Sequence, residues 1–168
     1  MLKFIFYFMI LCLFSTNSFA FSLSDIFTSN EERVQRGKQY YEEQNFSEAV
    51  KLFQEAADQG NREAQFNLGR MYVRGECVPK DNEKAAYWYQ KSADQGHPRS
   101  QVNLGFMYFQ GSGVPQDVEK TVYWCQKSAD QGDDRGQFCL GEMYFYGHGV
   151  LKDDEEAAYW YQKSADQG

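Results

Sequence analysis

The side chains that could perform catalysis are few and widely spread in this 168-residue sequence. Its two histidines, His97 and His148, lie beside loop glycines and far apart along the chain, whereas a catalytic zinc site needs three convergent protein ligands. No serine is followed three residues later by lysine, the pairing that activates a serine in one large class of hydrolases. The sequence therefore predicts no catalytic residue, no metal site and no cofactor, with both histidines exposed to solvent.

Glycine-rich loops and recurring serines also have structural interpretations. The Gly-x-Gly motifs that begin at Gly111 and Gly147 lack the following Lys-Ser/Thr of a phosphate-binding loop, which predicts turns. Serine recurs in Lys-Ser-Ala-Asp segments that contain no histidine to activate it. These serines are Ser92, Ser128 and Ser164.

The net charge of the chain argues against two classes of binding partner. Lys and Arg number 17 and Asp and Glu 24, so the formal net charge is −7, and no basic cluster interrupts the sequence. An acidic chain of this kind is not suited to nucleic acid or to anionic membrane surfaces.

Residues 1–20 have the pattern of a secretory signal peptide. Lys3 precedes an apolar stretch from Phe4 to Phe14, and Ser18-Phe19-Ala20 supplies small residues for cleavage. That stretch is shorter than the roughly 20 residues of a spanning helix, and no later apolar run approaches that length. We expect export to the periplasm or the medium, a mature chain that begins near Phe21 and does not span a membrane, and a flexible lead-in over residues 21–29.

An internal repeat organises the rest of the chain. Asp-Gln-Gly recurs every 36 residues, and residues 85–96 recur letter for letter as residues 157–168. The repeated glycines are Gly60, Gly96, Gly132 and Gly168.

Each period contains two stretches with helical spacing of apolar residues, joined by a glycine-rich loop. The first stretch carries Leu-Gly-x-Met-Tyr, and the second carries Ala-x-x-Trp in two copies and Thr-x-x-Trp in the middle one. An aspartate precedes each second helix where it can cap the free N–H groups. These residues are Asp81, Asp117 and Asp153. Each period therefore predicts a helical hairpin, with Trp88, Trp124 and Trp160 packed between hairpins.

These motifs together resemble Sel1-like repeats, which are related to tetratricopeptide repeats. The resemblance covers residues 61–96, 97–132 and 133–168, and residues 30–60 are similar to a tetratricopeptide hairpin. It implies an all-α fold, a right-handed α-solenoid of about four stacked hairpins in one domain, in which each hairpin contacts its neighbours.

The related tetratricopeptide register implies a binding surface on the concave side, formed by the first helix of each hairpin. Aromatic and arginine side chains dominate it, as they do at protein interfaces. The predicted protein-binding residues are Phe66, Arg70, Arg74, Arg99, Phe106, Phe109, Arg135, Phe138, Phe145 and Tyr146. For Phe66 and Phe138, packing against the preceding hairpin is the equal alternative, whereas we expect Phe106, Phe109 and Phe145 to be exposed. Arg99 and Arg135 open successive first helices, where a partner carboxylate could bridge them; pairing with the chain's own acids is the alternative.

The resemblance also suggests the function. Proteins built of such repeats are mostly adaptors, and exported bacterial members serve envelope signalling, partner assembly or contact with host proteins. We therefore expect a scaffold that binds a protein or peptide. The alternative is weak β-lactam binding or hydrolysis, which has been linked with some cysteine-rich members.

Three cysteines, an odd number, remain after the predicted signal peptide. Cys125 on a second helix and Cys139 on the next first helix could form a disulfide between hairpins, or remain as buried free thiols. Family members that are rich in cysteine bridge the two helices of one repeat, a spacing that this sequence does not reproduce. Cys77 lies in a loop, where we expect it to be exposed.

The last predicted helix carries Tyr159, Trp160 and Tyr161 on a face that its internal copies bury against the next hairpin. Either the sequence is a fragment of a longer chain, or a partner or a second copy of the chain covers this face. We expect the latter, which would make self-association through the C-terminal helix a second interface.

Overall fold

Eight helices form the part of the chain that the structure, a computed structural model, describes, which is residues 29–167. The predicted signal peptide and almost all of the predicted lead-in lie outside these residues. The helices are α1 (Asn30–Glu42), α2 (Phe46–Asp58), α3 (Arg62–Arg74), α4 (Asn82–Asp94), α5 (Pro98–Gln110), α6 (Val118–Ala129), α7 (Asp134–Tyr146) and α8 (Asp154–Ala165). Within this range no strand occurs.

The helices pair as four consecutive hairpins. Helix α1 packs on α2, α3 on α4, α5 on α6 and α7 on α8, and each second helix then packs on the first helix of the next hairpin. The all-α solenoid predicted from the repeat is confirmed. None of the helices in residues 29–167 combines the length and the apolar character that crossing a bilayer requires.

Aspartate caps fix where three of the second helices begin. The side chains of Asp81 and Asp117 accept hydrogen bonds of 2.9 Å from the N–H groups of Lys84 and Lys120, and Asp153 caps α8 in the same way. Each satisfies an N–H that has no partner within its own helix. This prediction from the sequence is confirmed.

The core is a row of apolar side chains between the hairpins. Leu68, Leu104 and Leu140 occupy the same position in three first helices and are fully buried, and Trp88 and Trp124 are buried at the equivalent position of α4 and α6. Trp160 in α8 is partly exposed, because no described helix follows it. The interpretation of the tryptophans as packing residues is therefore confirmed for the two internal copies.

Two recurring polar bonds join the two helices of a hairpin, and a third joins neighbouring hairpins, which explains why the Ser-Ala-Asp-Gln-Gly segment recurs. Gln95 donates a 2.8 Å hydrogen bond to the side chain of Gln65, which itself donates to the backbone of Ala57. Ser92 donates to the carbonyl of Arg62 at 2.7 Å. The same bonds recur in the later hairpins. Buried glutamine is costly unless it is paired. The Gln95 and Ser92 bonds therefore fix α4 against α3 within the hairpin, and the bond from Gln65 to Ala57 fixes this hairpin against the preceding one.

A disulfide joins the third hairpin to the fourth. Cys125 of α6 and Cys139 of α7, with Cα atoms 5.8 Å apart, are bonded, so the structure selects the bridge from the two alternatives that the sequence left open. Cys77 is a free, exposed cysteine, as expected.

Candidate protein-binding surface

The first helices lie on the inner side of the solenoid. Helices α5 and α7 contact each other directly, whereas the second helices α6 and α8 of the same hairpins approach each other less closely. The third and fourth hairpins therefore curve toward their first helices, and a cavity spans α3, α5 and α7 on the same side, so the surface that these three helices form is called the concave face below.

A cavity of about 450 Å³ opens on the concave face and is lined by arginine. It collects guanidinium groups from three successive hairpins, and no Asp or Glu side chain of the described residues lines it. The four arginines are Arg70, Arg74, Arg99 and Arg135, and the cavity is called the arginine cavity from here on. The prediction that Arg99 and Arg135 lie near each other on one face agrees with this geometry.

Two of these arginines, Arg70 and Arg74, contact Tyr41. The guanidinium of Arg70 lies over the rings of Tyr41 and Phe66, at 5.5 and 5.7 Å from their centroids. Arg74 donates a 2.9 Å hydrogen bond to the hydroxyl of Tyr41 and forms a 3.4 Å salt bridge with Glu76. Burial, together with the hydrogen bond that it donates to Glu76, raises the pKa of Tyr41, which therefore remains a neutral donor.

The floor of the arginine cavity is partly buried and neutral. Tyr89 of α4 lies there beside Asn103 and Met107. Burial raises the pKa of Tyr89 to about 12, so its hydroxyl carries no charge at neutral pH. The arginines are thus the charged groups of the cavity.

A second, more apolar pocket of about 260 Å³ adjoins the arginine cavity, with Phe106 lining both. The ring of Phe109 packs on His148 with centroids 5.4 Å apart. The pocket, called the aromatic pocket below, is lined by Phe106, Phe109, Phe138, Cys139, Glu142, Met143, Tyr146 and His148.

Most of the predicted surface aromatics are accessible. Phe106, Phe138, Phe145 and Tyr146 are exposed, and Phe109 is half-buried because it packs on His148. Phe145 lines neither the arginine cavity nor the aromatic pocket; its ring contacts Tyr146 and Lys152.

The prediction that Phe66 presents its ring to a partner is wrong. Phe66 is 5% exposed, because the imidazole of His97 stacks on it with centroids 4.6 Å apart and Tyr89 packs against it. Its role is to form a wall of the arginine cavity and to support Arg70.

The prediction that His97 is an exposed loop residue is also wrong, whereas His148 is exposed as expected. His97 caps α5, because its Nδ1 accepts the N–H of Ser100 at 3.2 Å. Its Nε2 therefore carries the proton and donates to Glu63 at 3.0 Å. Proline at the first position of α5 fits this cap, since the helix leaves that N–H without a partner.

Serine, histidine and glutamate thus lie in a row that resembles a hydrolase triad. The hydroxyl of Ser100 is 3.1 Å from Nδ1 of His97, but it donates to Ser92, which donates to the carbonyl of Arg62. Ser92 and Ser100 are both fully buried. The hydroxyls have no route to a substrate, so the row holds α3, α4 and α5 together. No sequence pattern indicates this row, since its members lie in three different helices or caps.

The decrease in the free energy of unfolding at acid pH should report the interactions of Glu63. Hydrogen bonds from His97 and then Lys38, whose Nζ lies 2.8 Å from Glu63, lower the pKa of that carboxyl from 4.5 to about 2. A lowered folded-state pKa stabilises the fold above pH 4.5, and the contribution disappears as pH falls toward 2. We expect Glu63→Gln to reduce the free energy of unfolding at pH 7, with the difference from wild type shrinking between about pH 5 and pH 2. Urea titrations across this range measure it.

Glu42→Gln, at an exposed carboxylate of α1, is the matched control for charge. A difference for Glu63→Gln that stays constant from pH 7 to pH 2 would contradict the assignment.

Within residues 29–167, no group of three His, Cys, Asp or Glu side chains is arranged to hold a metal ion.

An elongated all-α stack of hairpins whose inner face carries adjoining charged and apolar pockets defines a repeat protein of the solenoid class. The model of the Sel1 repeat family matches residues 34–61, 62–97, 98–133 and 135–168. The chain belongs to the Sel1 repeat family, and the match includes the first hairpin. Proteins of this family generally act as protein–protein interaction scaffolds.

Solved structures agree with this assignment. A protective antigen present in uropathogenic Escherichia coli strains, described as displaying an SLR fold, is 39% identical over 83% of this chain and 31% of its own length, with a TM-score of 0.79. A Sel1 repeat protein from Oxalobacter formigenes is 29% identical over 88% of this chain and 62% of its own, also at 0.79.

A third structure shares the fold alone: cysteine rich protein B from Helicobacter pylori, 20% identical over 84% of this chain and 92% of its own, with a TM-score of 0.54. The chain thus spans less than two thirds of the length of the first two proteins. No curated protein matches it significantly.

Proposed function

We propose that this chain is an exported, non-catalytic scaffold that binds a peptide or a partner protein on its concave face, in envelope signalling or in contact with a host. One observation carries the proposal: the arginine cavity and the aromatic pocket adjoin at Phe106 and form one surface built by successive hairpins. Exposed aromatic side chains beside arginine are the composition of interaction hot spots. The general role of Sel1 repeat proteins supports the same conclusion.

Stacking explains why such a surface suits a peptide. Each first helix presents side chains at the same height as its neighbour, so an extended segment meets an equivalent position in each hairpin. Arg99 and Arg135 hold such positions on neighbouring hairpins and both line the arginine cavity, while Phe106 and Phe138 of the same two hairpins line the aromatic pocket. A segment of several residues therefore contacts more than one hairpin at once.

Selection from a library of random displayed peptides tests the proposal and does not require an identified partner. We expect the purified chain to enrich peptides that Phe106→Ala retains at least tenfold less well, because the substitution removes the ring shared by both pockets. Helical circular dichroism must be unchanged.

Tyr123→Ala is the matched control for that variant. Tyr123 on α6 is 51% exposed, comparable with 43% for Phe106, and lines neither pocket. Equal retention by Phe106→Ala and wild type places binding elsewhere, and failure to enrich any peptide refutes the proposal.

Two further parts of the proposal concern the ends of the chain. Export is supported by the pattern of residues 1–20. A second copy packed on α8 is supported by the partial exposure of Trp160 and Tyr161, since the internal copies Trp88 and Tyr89 are buried, whereas Tyr159 is exposed just as its internal copies are. N-terminal sequencing that begins at Phe21 and sedimentation that shows a dimer are the expected results. An uncleaved N-terminus would contradict export with cleavage, and a monomer at high concentration would contradict self-association through α8.

A further inference from the structure

The arginine cavity has the opposite charge to the protein around it. The chain has a formal net charge of −7, yet four guanidinium groups and no carboxylate of the described residues line this one cavity. Like charges gathered in a partly enclosed space repel each other, so an anion bound among them is stabilised by each guanidinium that has no carboxylate partner of its own.

Three of these arginines have no acidic partner in the part of the chain that the structure describes. Arg99 and Arg135 form neither a salt bridge nor a hydrogen bond with residues 29–167, and Arg70 contacts its neighbours through ring faces alone. Arg74 is the one that pairs, with Glu76. Three guanidinium forks therefore have donors available for a ligand.

Arg70 is held in position before any ligand binds. Its guanidinium lies over the rings of Tyr41 and Phe66, and these contacts restrict the side chain without using its N–H donors. An arginine fork of this kind matches the two oxygens of a carboxylate. Because less side-chain freedom is lost on binding, the pairing is stronger than at a mobile arginine.

The aromatic pocket adds an apolar requirement next to the anionic one. Phe106 separates the two sites, so a ligand that fills both has its charged and apolar groups on neighbouring positions. Glu142 lines the aromatic pocket and accepts a hydrogen bond from Tyr161. This carboxylate repels a second anion, so the anionic group of a ligand is directed to the arginine cavity and its apolar group to the aromatic pocket.

We propose that the concave face recognises a peptide segment in which a carboxylate lies next to a large apolar side chain, with the carboxylate among Arg70, Arg99 and Arg135 and the apolar side chain in the aromatic pocket. The proposal rests on the proposed function and names its ligand class. A cavity of about 450 Å³ beside one of about 260 Å³ accommodates a few residues. The carboxylate comes from an Asp or Glu side chain or from the C-terminus of a partner.

Fluorescence anisotropy with defined probes tests the proposal on the full purified chain. The first probe is fluorescein-Gly-Ser-Asp-Glu-Phe-Leu-Gly-Ser amide. In the second, Asn-Gln replaces Asp-Glu; the third is fluorescein-Gly-Ser-Asn-Gln-Phe-Leu with a free carboxyl, and the fourth is its amide. We expect the first probe to bind at least tenfold more tightly than the second, or the third at least tenfold more tightly than the fourth, which identifies the source of the carboxylate.

Paired variants show whether the arginine cavity is responsible. Arg99→Gln combined with Arg135→Gln should weaken the preferred acidic probe at least tenfold and leave its neutral counterpart unchanged. Lys91→Gln combined with Lys127→Gln, at exposed lysines of α4 and α6, makes the same change in net charge and should have no effect beyond twofold. Added salt should weaken the acidic probe more than the neutral one.

Failure of this inference differs from failure of the proposed function. If acidic and neutral probes bind equally, or if no probe binds, the ligand class is wrong. Peptides enriched from the random library and lost in Phe106→Ala would still support the scaffold. If the double arginine variant and the double lysine variant weaken binding of the acidic probe equally, the net charge of the protein and not the arginine cavity is responsible. That result would also overturn the inference.

Discussion

Gly113→Ala is expected to destabilise the fold by about 2–5 kcal/mol, whereas Gly60→Ala should cost about 1–2 kcal/mol. Both glycines have left-handed backbone angles, with φ of +74° and +88°, so alanine is strained at either. The positions differ in their surroundings. A Cβ on Gly113 would lie 2.1 Å from the carbonyl oxygen of Asn82 at the start of α4, while nothing lies within 4 Å of one on Gly60.

Gly113 therefore lets the loop of one hairpin lie directly on the second helix of the preceding hairpin. The stability lost at Gly113 beyond that lost at Gly60, about 1–3 kcal/mol, is the cost of pushing the loop away from the backbone of α4. Urea denaturation followed by circular dichroism gives both values. Equal losses of stability in Gly113→Ala and Gly60→Ala would show that the cost comes from backbone strain alone and that the loop does not pack against α4.

The architecture could be predicted because its determinants repeat. The aspartate caps at Asp81, Asp117 and Asp153 recur at one spacing and act within a few residues of their own position, where sequence patterns are reliable. The Leu-Gly-x-Met-Tyr segment likewise fixes its face of each first helix. Local signals repeated in register are consistent with each other, and together they specify hairpins of one kind.

The concave face was predictable as a surface, but not side chain by side chain. Phe66 and Phe138 hold the same position in their repeats, yet Phe66 is 5% exposed and Phe138 51%. His97 from the next hairpin covers Phe66, and no described hairpin follows α8 to cover Phe138. Burial here depends on the identity of a residue one repeat away, which a pattern within one hairpin does not contain.

Polar contacts within and between hairpins escaped prediction for the same reason. Gln65 and Gln95 belong to different helices of one hairpin and pair across it, and Gln65 also bonds Ala57 of the preceding hairpin. A glutamine on a helix is ordinarily a surface residue. Only the stacked structure shows that Gln65 is buried and that the exposed Gln95 is paired with it.

The stack also creates the candidate site. Arg70, Arg99 and Arg135 come from three consecutive hairpins, so no single hairpin contains the arginine cavity. The charge density that favours an anion therefore depends on how each hairpin sits on the one before it. Contacts that fix the third hairpin against the fourth, in particular, determine where Arg135 lies relative to Arg99.

Reduction of the disulfide between Cys125 and Cys139 is expected to lower the free energy of unfolding by about 3 kcal/mol, since it releases a loop of about 15 residues in the unfolded chain. The thermal midpoint should fall by roughly 6–12 °C for a domain of this size. The bridge joins α6 to α7, the helix that carries Arg135, so reduction should also weaken the binding of any ligand in the arginine cavity.

Melting curves of the Cys77→Ser variant with and without reductant measure the effect of the disulfide alone, because this variant lacks the exposed thiol. Cys125→Ala combined with Cys139→Ala should not respond to reductant. A midpoint that stays unchanged while thiol titration rises by two would show that stacking alone holds these hairpins together.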